Sequence, residues 1–487
     1  MDKVFFVDTT LRDAHQSLWA EAMTTSMMLS IASDIDKIGF KALDFISLSM
    51  FKKAIVELHE DPWERIKLLG EHLKTPRAAM AFYSVHPFTR SPMCLTKLFI
   101  ERLAANGIKR VQMMHASNDF SFKLPETVKY AHDAGLEVML ALAYTLSPRH
   151  TDEYYAQKTL EVVKLKPDLI YFKDAGGLIT PERTRTLVPV ILKNSGGIPV
   201  EFHSHCTTGL APLSYLEAIK CGIRTVHTAI PPLANASSQP SVVNIARNIR
   251  HLGYAPAIDE EAIKPISDQL SFIAKREGLP QGVPLEYDVY QYVHQIPGGV
   301  ISNLRHQLSK LGMGQRLQEV IDEAVEVRKD MGYPIMVTPY SQFVVSQATM
   351  NVMLGQRYKQ IIDEIIQTAL GYWGEEASSS IDAELRDRIM STARAKEISA
   401  EPPEPSLGEL RQKLGRPGIS DEELLLRYMQ IDDEALKSMR PSGLVKEYPS
   451  AKTPLSTLIR ELARQKNYNY IHVHKDGLSL TIQKKSV

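Results

Sequence analysis

Three short stretches concentrate side chains able to hold a cation and act on a carbonyl. Glu201-Phe202-His203-Ser204-His205 sets two imidazoles two residues apart; on a strand such residues share a face and can address one ion. Phe172-Lys173-Asp174-Ala175-Gly176-Gly177 puts a lysine and an acid before a flexible turn, and Asp8-Thr9-Thr10-Leu11-Arg12-Asp13-Ala14-His15-Gln16 supplies carboxylates, a guanidinium and an amide. Mixed histidine and carboxylate ligation with open positions suits Zn²⁺, Mn²⁺ or Co²⁺ acting as a Lewis acid. His472-Val473-His474 repeats the spacing without a glycine-rich mouth or an acidic loop, and reads as a pair of ordinary strand histidines.

Those stretches follow apolar runs that recur every few dozen residues. The runs are Val4–Val7, Ala42–Ile46, Ala78–Phe82, Arg110–Met114, Leu136–Leu142, Leu169–Phe172, Pro199–His203 and Arg224–Thr228. Near-continuous apolar runs of this length predict parallel strands buried on both faces. Helical patterns alternate with them over Thr24–Ile38, Leu95–Asn106, Pro125–Ala134, Asp152–Lys164, Pro181–Lys193 and Gly209–Lys220. Eight such units in roughly 250 residues match a (β/α)₈ TIM barrel. The rival, a doubly wound sheet, lacks support because the Asp8–Gln16 loop carries none of the glycines of a dinucleotide fingerprint. In a barrel the chemistry belongs at the carboxyl ends of the strands, where the three stretches fall.

The expected organisation is a catalytic barrel over 1–255, a mainly helical extension over 256–395, a linker over 396–406 and a small C-terminal α+β unit over 407–487. Helices are expected around Glu260–Glu277, Gln315–Met331, Tyr340–Met353, Tyr358–Leu370, Leu407–Lys413, Asp421–Met429 and Pro454–Gln465. A hairpin turning at Asp476-Gly477 should close the chain.

Lysine plus arginine and aspartate plus glutamate both number 57 among 487 residues, so no net charge attracts nucleic acid or an anionic membrane. Cys94, Cys206 and Cys221 are too few and scattered for a disulfide framework or a zinc knuckle, which points to a reducing cytoplasm. No run is long enough to be a signal core or to span a bilayer, so no direct membrane insertion is expected.

Asp8–Ser17, the Phe172–Pro181 stretch and the histidine pair followed by Thr207-Thr208-Gly209 resemble the biotin-dependent carboxyltransferase family. That family includes the carboxyltransferase domain of pyruvate carboxylase, the α-subunit of oxaloacetate decarboxylase and the 5S subunit of transcarboxylase. Ser237-Ser238-Gln239-Pro240, Pro297–Leu304 and Val337-Thr338-Pro339 extend the likeness over roughly residues 3 to 375, with weaker similarity beyond. The resemblance implies that Asp13, His203 and His205 ligate a metal and that Lys173 is carbamylated as a further ligand. It implies that Arg12 and Gln16 lie near the acceptor, and that Ser237 stands where the family has a threonine that moves a proton between biotin and the substrate enol. A biotin carboxyl carrier protein and a biotin carboxylase subunit are implied as partners, because no Met-Lys-Met biotinylation tripeptide or glycine-rich ATP loop occurs here. A homodimer or higher oligomer is expected.

Departures from the family pattern bear on the acceptor. Phe82 falls where pyruvate-specific members hold the substrate carboxylate with an arginine, His115 replaces an aspartate, and Asp44–Ser49 replaces a glutamate, a tryptophan and paired glycines. Exchanging a charge-assisted clamp for a ring removes that interaction, so Phe82 and His115 predict an acceptor other than plain pyruvate. Two further readings stay open: a biotin-independent metal-dependent aldolase, lyase or decarboxylase of a 2-oxo acid, and a non-catalytic assembly subunit.

Overall fold

In the computed structural model, eight parallel strands close into a barrel. They are β1 (Lys3–Asp8), β2 (Ala42–Ser47), β3 (Arg77–Ala81), β4 (Arg110–Met113), β5 (Glu137–Ala143), β6 (Leu169–Asp174), β7 (Val200–Ser204) and β8 (Thr225–Thr228). β1 pairs with both β8 and β2, which completes the ring, and the two-residue β9 (Ala255–Pro256) adds to the lower end of β1. The structure describes all residues except 87–89, 401–403, 415–417, 430, 451–458, 460–461, 463–469, 476–477 and 484–487.

Alternation along each strand divides its residues between two environments. Outward positions such as Phe6, Leu43, Val111, Leu140, Phe172 and Phe202 join the core between strands and helices. Inward positions stack in layers drawn from alternate strands, as a barrel's stagger requires. Following the register around the ring, Asp44, Gln112, Tyr171 and His227 share one layer. Above them toward the mouth come Thr9, Met80, Ala141 and His203, and below lies Glu201 among Val7, Ala78 and Met139.

Residues 263–399 are mainly helical and build a second core around Leu304, Val320, Val327, Phe343 and Trp373; the helix Ala393–Ser399 runs into the stretch expected as a linker from 396, because Ala395 and Ile398 pack into this core. This core is continuous with Tyr83, Met114 and Ala116 at the barrel mouth, so the extension caps the C-terminal face over β3 to β6. The helix expected from Tyr358 starts at Asp363 instead. Gly355 ends the preceding helix in a left-handed cap, and Tyr358 itself has φ of +54°, which no α-helical turn accommodates.

Helices Leu407–Leu414, Asp421–Tyr428 and Asp433–Ser442 lay Leu410, Leu424, Leu425, Leu436 and Met439 into the barrel's outer core. The final hairpin pairs β10 (Tyr470–Lys475) with β11 (Leu478–Gln483) antiparallel. Its turn at Asp476-Gly477 lies outside the described residues, as does the helix expected over Pro454–Gln465 apart from positions 459 and 462. Among the described residues, no helix is long and apolar enough to cross a membrane.

Candidate metal centre

The segment after β1, expected as a loop, winds immediately into a π-helical turn over Thr10–Ala14 and then an α-helix over His15–Trp19. Asp8 anchors the turn: its carboxylate accepts from the Thr10 amide at 3.1 Å and the Thr10 hydroxyl at 2.6 Å. The Thr10 hydroxyl in turn accepts from the Ile230 amide at 2.9 Å, tying the turn to the segment after β8. Single π turns put an extra residue into one helical turn and recur at functional sites. Here the turn buries Arg12 and Asp13 together under the barrel mouth.

Asp13 meets the residues of β6 and β7 there. Its Oδ2 lies 3.1 Å from Lys173 Nζ and 3.5 Å from His203 Nε2, and its Oδ1 lies 3.5 Å from His205 Nε2. The ligand atoms of Asp13, His203 and His205 all fall within 4.8 Å of one another. His205 Nδ1 donates to the Ser237 carbonyl at 2.7 Å, so its Nε2 presents a lone pair to the centre. His203 is held well below the usual imidazole range by burial and by Lys173, and so is neutral. Burial pushes Asp13 up, but Arg12, Lys173 and His205 outweigh it and keep it ionised. The neutral imidazole of His203, the Nε2 of His205 and a carboxylate, closely spaced and almost fully buried, fit a divalent transition metal.

The approaches to this centre are fixed by polar contacts. Arg12 Nε donates to Asp44 Oδ1 at 2.8 Å, and its NH2 lies 2.5 Å from Asp44 Oδ2 and 3.1 Å from Asp13 Oδ2. Arg12 also reaches Gln16 Oε1 and Gln112 Oε1, each at 3.4 Å. Gln16 passes the contact on to the Ser49 hydroxyl at 3.2 Å. Asp174 does not join the metal residues; it accepts from the amides of Leu178 and Ile179 and from the Ser204 hydroxyl, bracing the glycine turn. Gly177 is required in that turn: its φ is +65°, and a Cβ there would come within 2.5 Å of the His205 carbonyl.

Asp13, Lys173, His203, His205, Arg12 and Gln16 therefore converge. Ser237 sits at the rim, where its hydroxyl donates to the Ser17 carbonyl at 2.9 Å. Phe82 continues the inward parity of β3 and lines a cavity with Tyr83, Ala116, Thr338, Pro339 and Trp373. His115 is placed elsewhere. It continues the outward parity of Val111 and Met113, stacks on Tyr83 at 4.7 Å and faces Gly374 of the extension. Burial pulls His115 down to about 4, and Met114 takes the inward position.

Gln239, to which sequence alone gives no role, lies at the centre. Its Nε2 is 3.3 Å from His203 Nε2 and 3.1 Å from His205 Nε2, on the side of the rings where a cation would bind, and its Oε1 accepts from Thr9 Oγ1 at 2.7 Å. Gln112 and Tyr171 are likewise hard to find from sequence. Their one visible signal is a polar group at an inward position of an otherwise apolar run.

A family described as HMGL-like matches residues 3–270, and one described as a conserved carboxylase domain matches residues 291–471. A pyruvate carboxylase subunit of Methanocaldococcus jannaschii is 34% identical over 456 residues, covering 92% of this chain and 79% of its own. The 2-oxoglutarate carboxylase large subunit of Hydrogenobacter thermophilus is 29% identical, covering 87% and 66%. The methylmalonyl-CoA carboxyltransferase 5S subunit of Propionibacterium freudenreichii subsp. shermanii is 29% identical, covering 76% and 74%. The carboxyl transferase domain of Rhizobium etli pyruvate carboxylase with 3-bromopyruvate shares the fold with a TM-score of 0.82 at 24% identity, covering 93% of this chain and 80% of that one. Against a longer pyruvate carboxylase chain from the same organism, this chain spans 46% of the length.

Proposed function

From the premise that this chain belongs to the biotin-dependent carboxyltransferase family, we propose that its barrel mouth moves a carboxyl group between carboxybiotin on a partner chain and an enolisable carbonyl compound more apolar than pyruvate. The observation that carries this reading is the convergence of Asp13, Lys173, His203 and His205 within one buried cluster.

Asp13, His203 and His205 would hold a divalent metal, with Lys173 completing the set as a carbamate; Zn²⁺, Mn²⁺ and Co²⁺ all suit these donors. When bound, the metal supplies Lewis acidity that polarises the acceptor carbonyl. Arg12, fixed by Asp44 and Gln16, orients an acceptor oxygen beside the centre. The Ser237 hydroxyl stands at the rim to pass a proton between biotin and the acceptor carbon. The carboxyl donor must reach the mouth from outside, which requires a biotin carboxyl carrier protein and a biotin carboxylase as partners.

The acceptor class follows from Phe82. The relatives carry the names of pyruvate, 2-oxoglutarate and methylmalonyl-CoA enzymes, so the family's acceptors vary. Beside Phe82, this chain lines its cavity with the rings of Tyr83, Pro339 and Trp373, with the hydroxyl residues Ser84 and Thr338, and with His86, which burial holds below the usual imidazole range; the rings favour an apolar substituent over a second carboxylate.

The test is transfer of labelled carboxyl from a carboxylated biotin carrier to a panel of 2-oxo acids and acyl thioesters, with and without metal. Metal-dependent labelling of at least one acceptor, strongest for one bulkier than pyruvate, is expected. Metal-dependent cleavage of a 2-oxo acid that ignores biotin would establish a lyase instead.

A further inference from the structure

Two buried polar atoms near the metal ligands point to how the acceptor is held. Gln112 on β4 and Tyr171 on β6 share one inward layer with Asp44 and His227. Layers of this kind are ordinarily filled by branched aliphatic side chains, whereas all four here are polar. Asp44 is engaged by Arg12, and His227 Nε2 lies 3.0 Å from Glu201 Oε2. Gln112 Nε2 and Tyr171 Oη are fully buried and have no hydrogen-bond partner among the described residues. A buried donor left unmade carries its full desolvation penalty, so a fold does not keep two such groups together without use.

Neither group can relieve this by local rearrangement. Gln112 Oε1 accepts from Arg12 NH2 at 3.4 Å, and reversing the amide would set N–H against N–H. The Tyr171 ring is stacked on His227 with centroids 4.7 Å apart and meets His203 edge-on at 5.3 Å. Lys173 Nζ lies 5.4 Å from the ring centroid, and the charged groups facing Tyr171 are Asp13, Asp44 and Arg12. β5, between the two strands, contributes only Ala141 and Ala143 toward the mouth, so it lays no bulky side chain over either atom.

We infer that the Gln112 Nε2–H and the Tyr171 Oη–H form a two-donor receptor for one carbonyl or carboxyl oxygen of the acceptor, in the layer beneath the metal ligands. The receptor supplies neutral donors in a chain that has Phe82 at the mouth in place of a cationic clamp. It rests on the carboxyltransferase reading above.

The experiment is calorimetric titration of the metal-loaded full-length protein with oxalate, a planar mimic of a 2-oxo acid enolate, for wild type, Tyr171→Phe and Gln112→Leu. Phenylalanine keeps the ring stack and removes only the hydroxyl. Each variant should raise the oxalate Kd about 10- to 100-fold, the range for one hydrogen bond to a charged partner. Metal content should stay the same and the melting temperature should not fall. Wild type that binds no oxalate, variants whose Kd stays within about twofold, or a lowered melting temperature with unchanged Kd would each overturn the receptor. Unchanged oxalate binding alongside intact biotin-dependent transfer sinks this inference alone. Weakened binding in both variants with no biotin-dependent transfer sinks the carboxyltransferase reading and leaves the receptor standing.

Discussion

Lys173 Nζ lies 3.1 Å from Asp13 Oδ2, although 160 residues and three intervening strand pairings separate them, and both side chains are almost wholly buried. Arg12 stands 3.1 Å from the same oxygen, so one carboxylate already faces two cations. A metal ion adds further positive charge, and one of the cationic groups must give way to it. Arg12 cannot, because guanidinium does not deprotonate in proteins. Lys173 can: burial, reinforced by Arg12, pulls it below the usual lysine range against the hold of Asp13.

The first expectation is one divalent transition metal per chain. Elemental analysis of purified protein should find it, and His203→Ala, His205→Ala and Asp13→Ala should each lower its content at least tenfold. Metal-free wild type, with both histidine variants unchanged in every assay, would remove the centre.

Lys173 should take up CO₂ as a carbamate, which exchanges a repelling ammonium for an anionic ligand. Protein equilibrated with metal and ¹³C-bicarbonate should give a carbamate carbon resonance that Lys173→Met abolishes. A wild-type spectrum without that resonance would count against it, whereas mass spectrometry in acid would not, since carbamates are lost there.

Ser237→Ala should lower turnover by roughly 10² to 10⁴, the range for a positioned proton-transfer group. Metal content should be preserved, because the carbonyl that accepts from His205 Nδ1 belongs to the backbone and survives the change. Near-normal turnover with a lower melting temperature would make the hydroxyl a brace to Ser17 and nothing more.

Phe82 should set acceptor preference. Pyruvate ought to be a poor acceptor, because a charge-assisted hydrogen bond contributes about 1.5–3 kcal/mol that a ring does not return. Phe82→Arg should raise pyruvate turnover from that low baseline by about tenfold or more. Efficient wild-type turnover at low millimolar pyruvate would refute the assignment.

Acid stability should depend on Glu201, deep in the barrel. Burial pushes its carboxyl up, but His227, Arg110 and Lys41 outweigh that and hold it at about 2, below its ordinary 4.5. A folded-state value below the unfolded one stabilises the protein above about pH 4.5, and this contribution is lost as the pH falls toward 2. Glu201→Gln leaves Arg110 and Lys41 without their shared carboxylate, so it should cost about 3–5 kcal/mol at pH 7. Urea unfolding should show the gap to wild type narrowing steadily below pH 4.5; a constant gap would contradict this.

Local spacing alone determined much of this protein. The eight apolar runs match the barrel strands to within one or two residues, because the two-residue period of a strand and the burial of both its faces are properties of the run itself. His203 and His205 were legible for the same reason: two residues along a strand return the chain to one face. Which strands share a layer is a different matter, since it depends on the stagger with which the sheet closes, and no single run contains that information. Gln112 and Tyr171 therefore looked like isolated polar residues until closure set them with Asp44 and His227 beneath the ligands. Gln239 reached the imidazoles only through the turn after β8. His115, read from the sequence as facing the acceptor, is turned outward against Tyr83, because strand parity carried past the end of β4 gives the inward position to Met114.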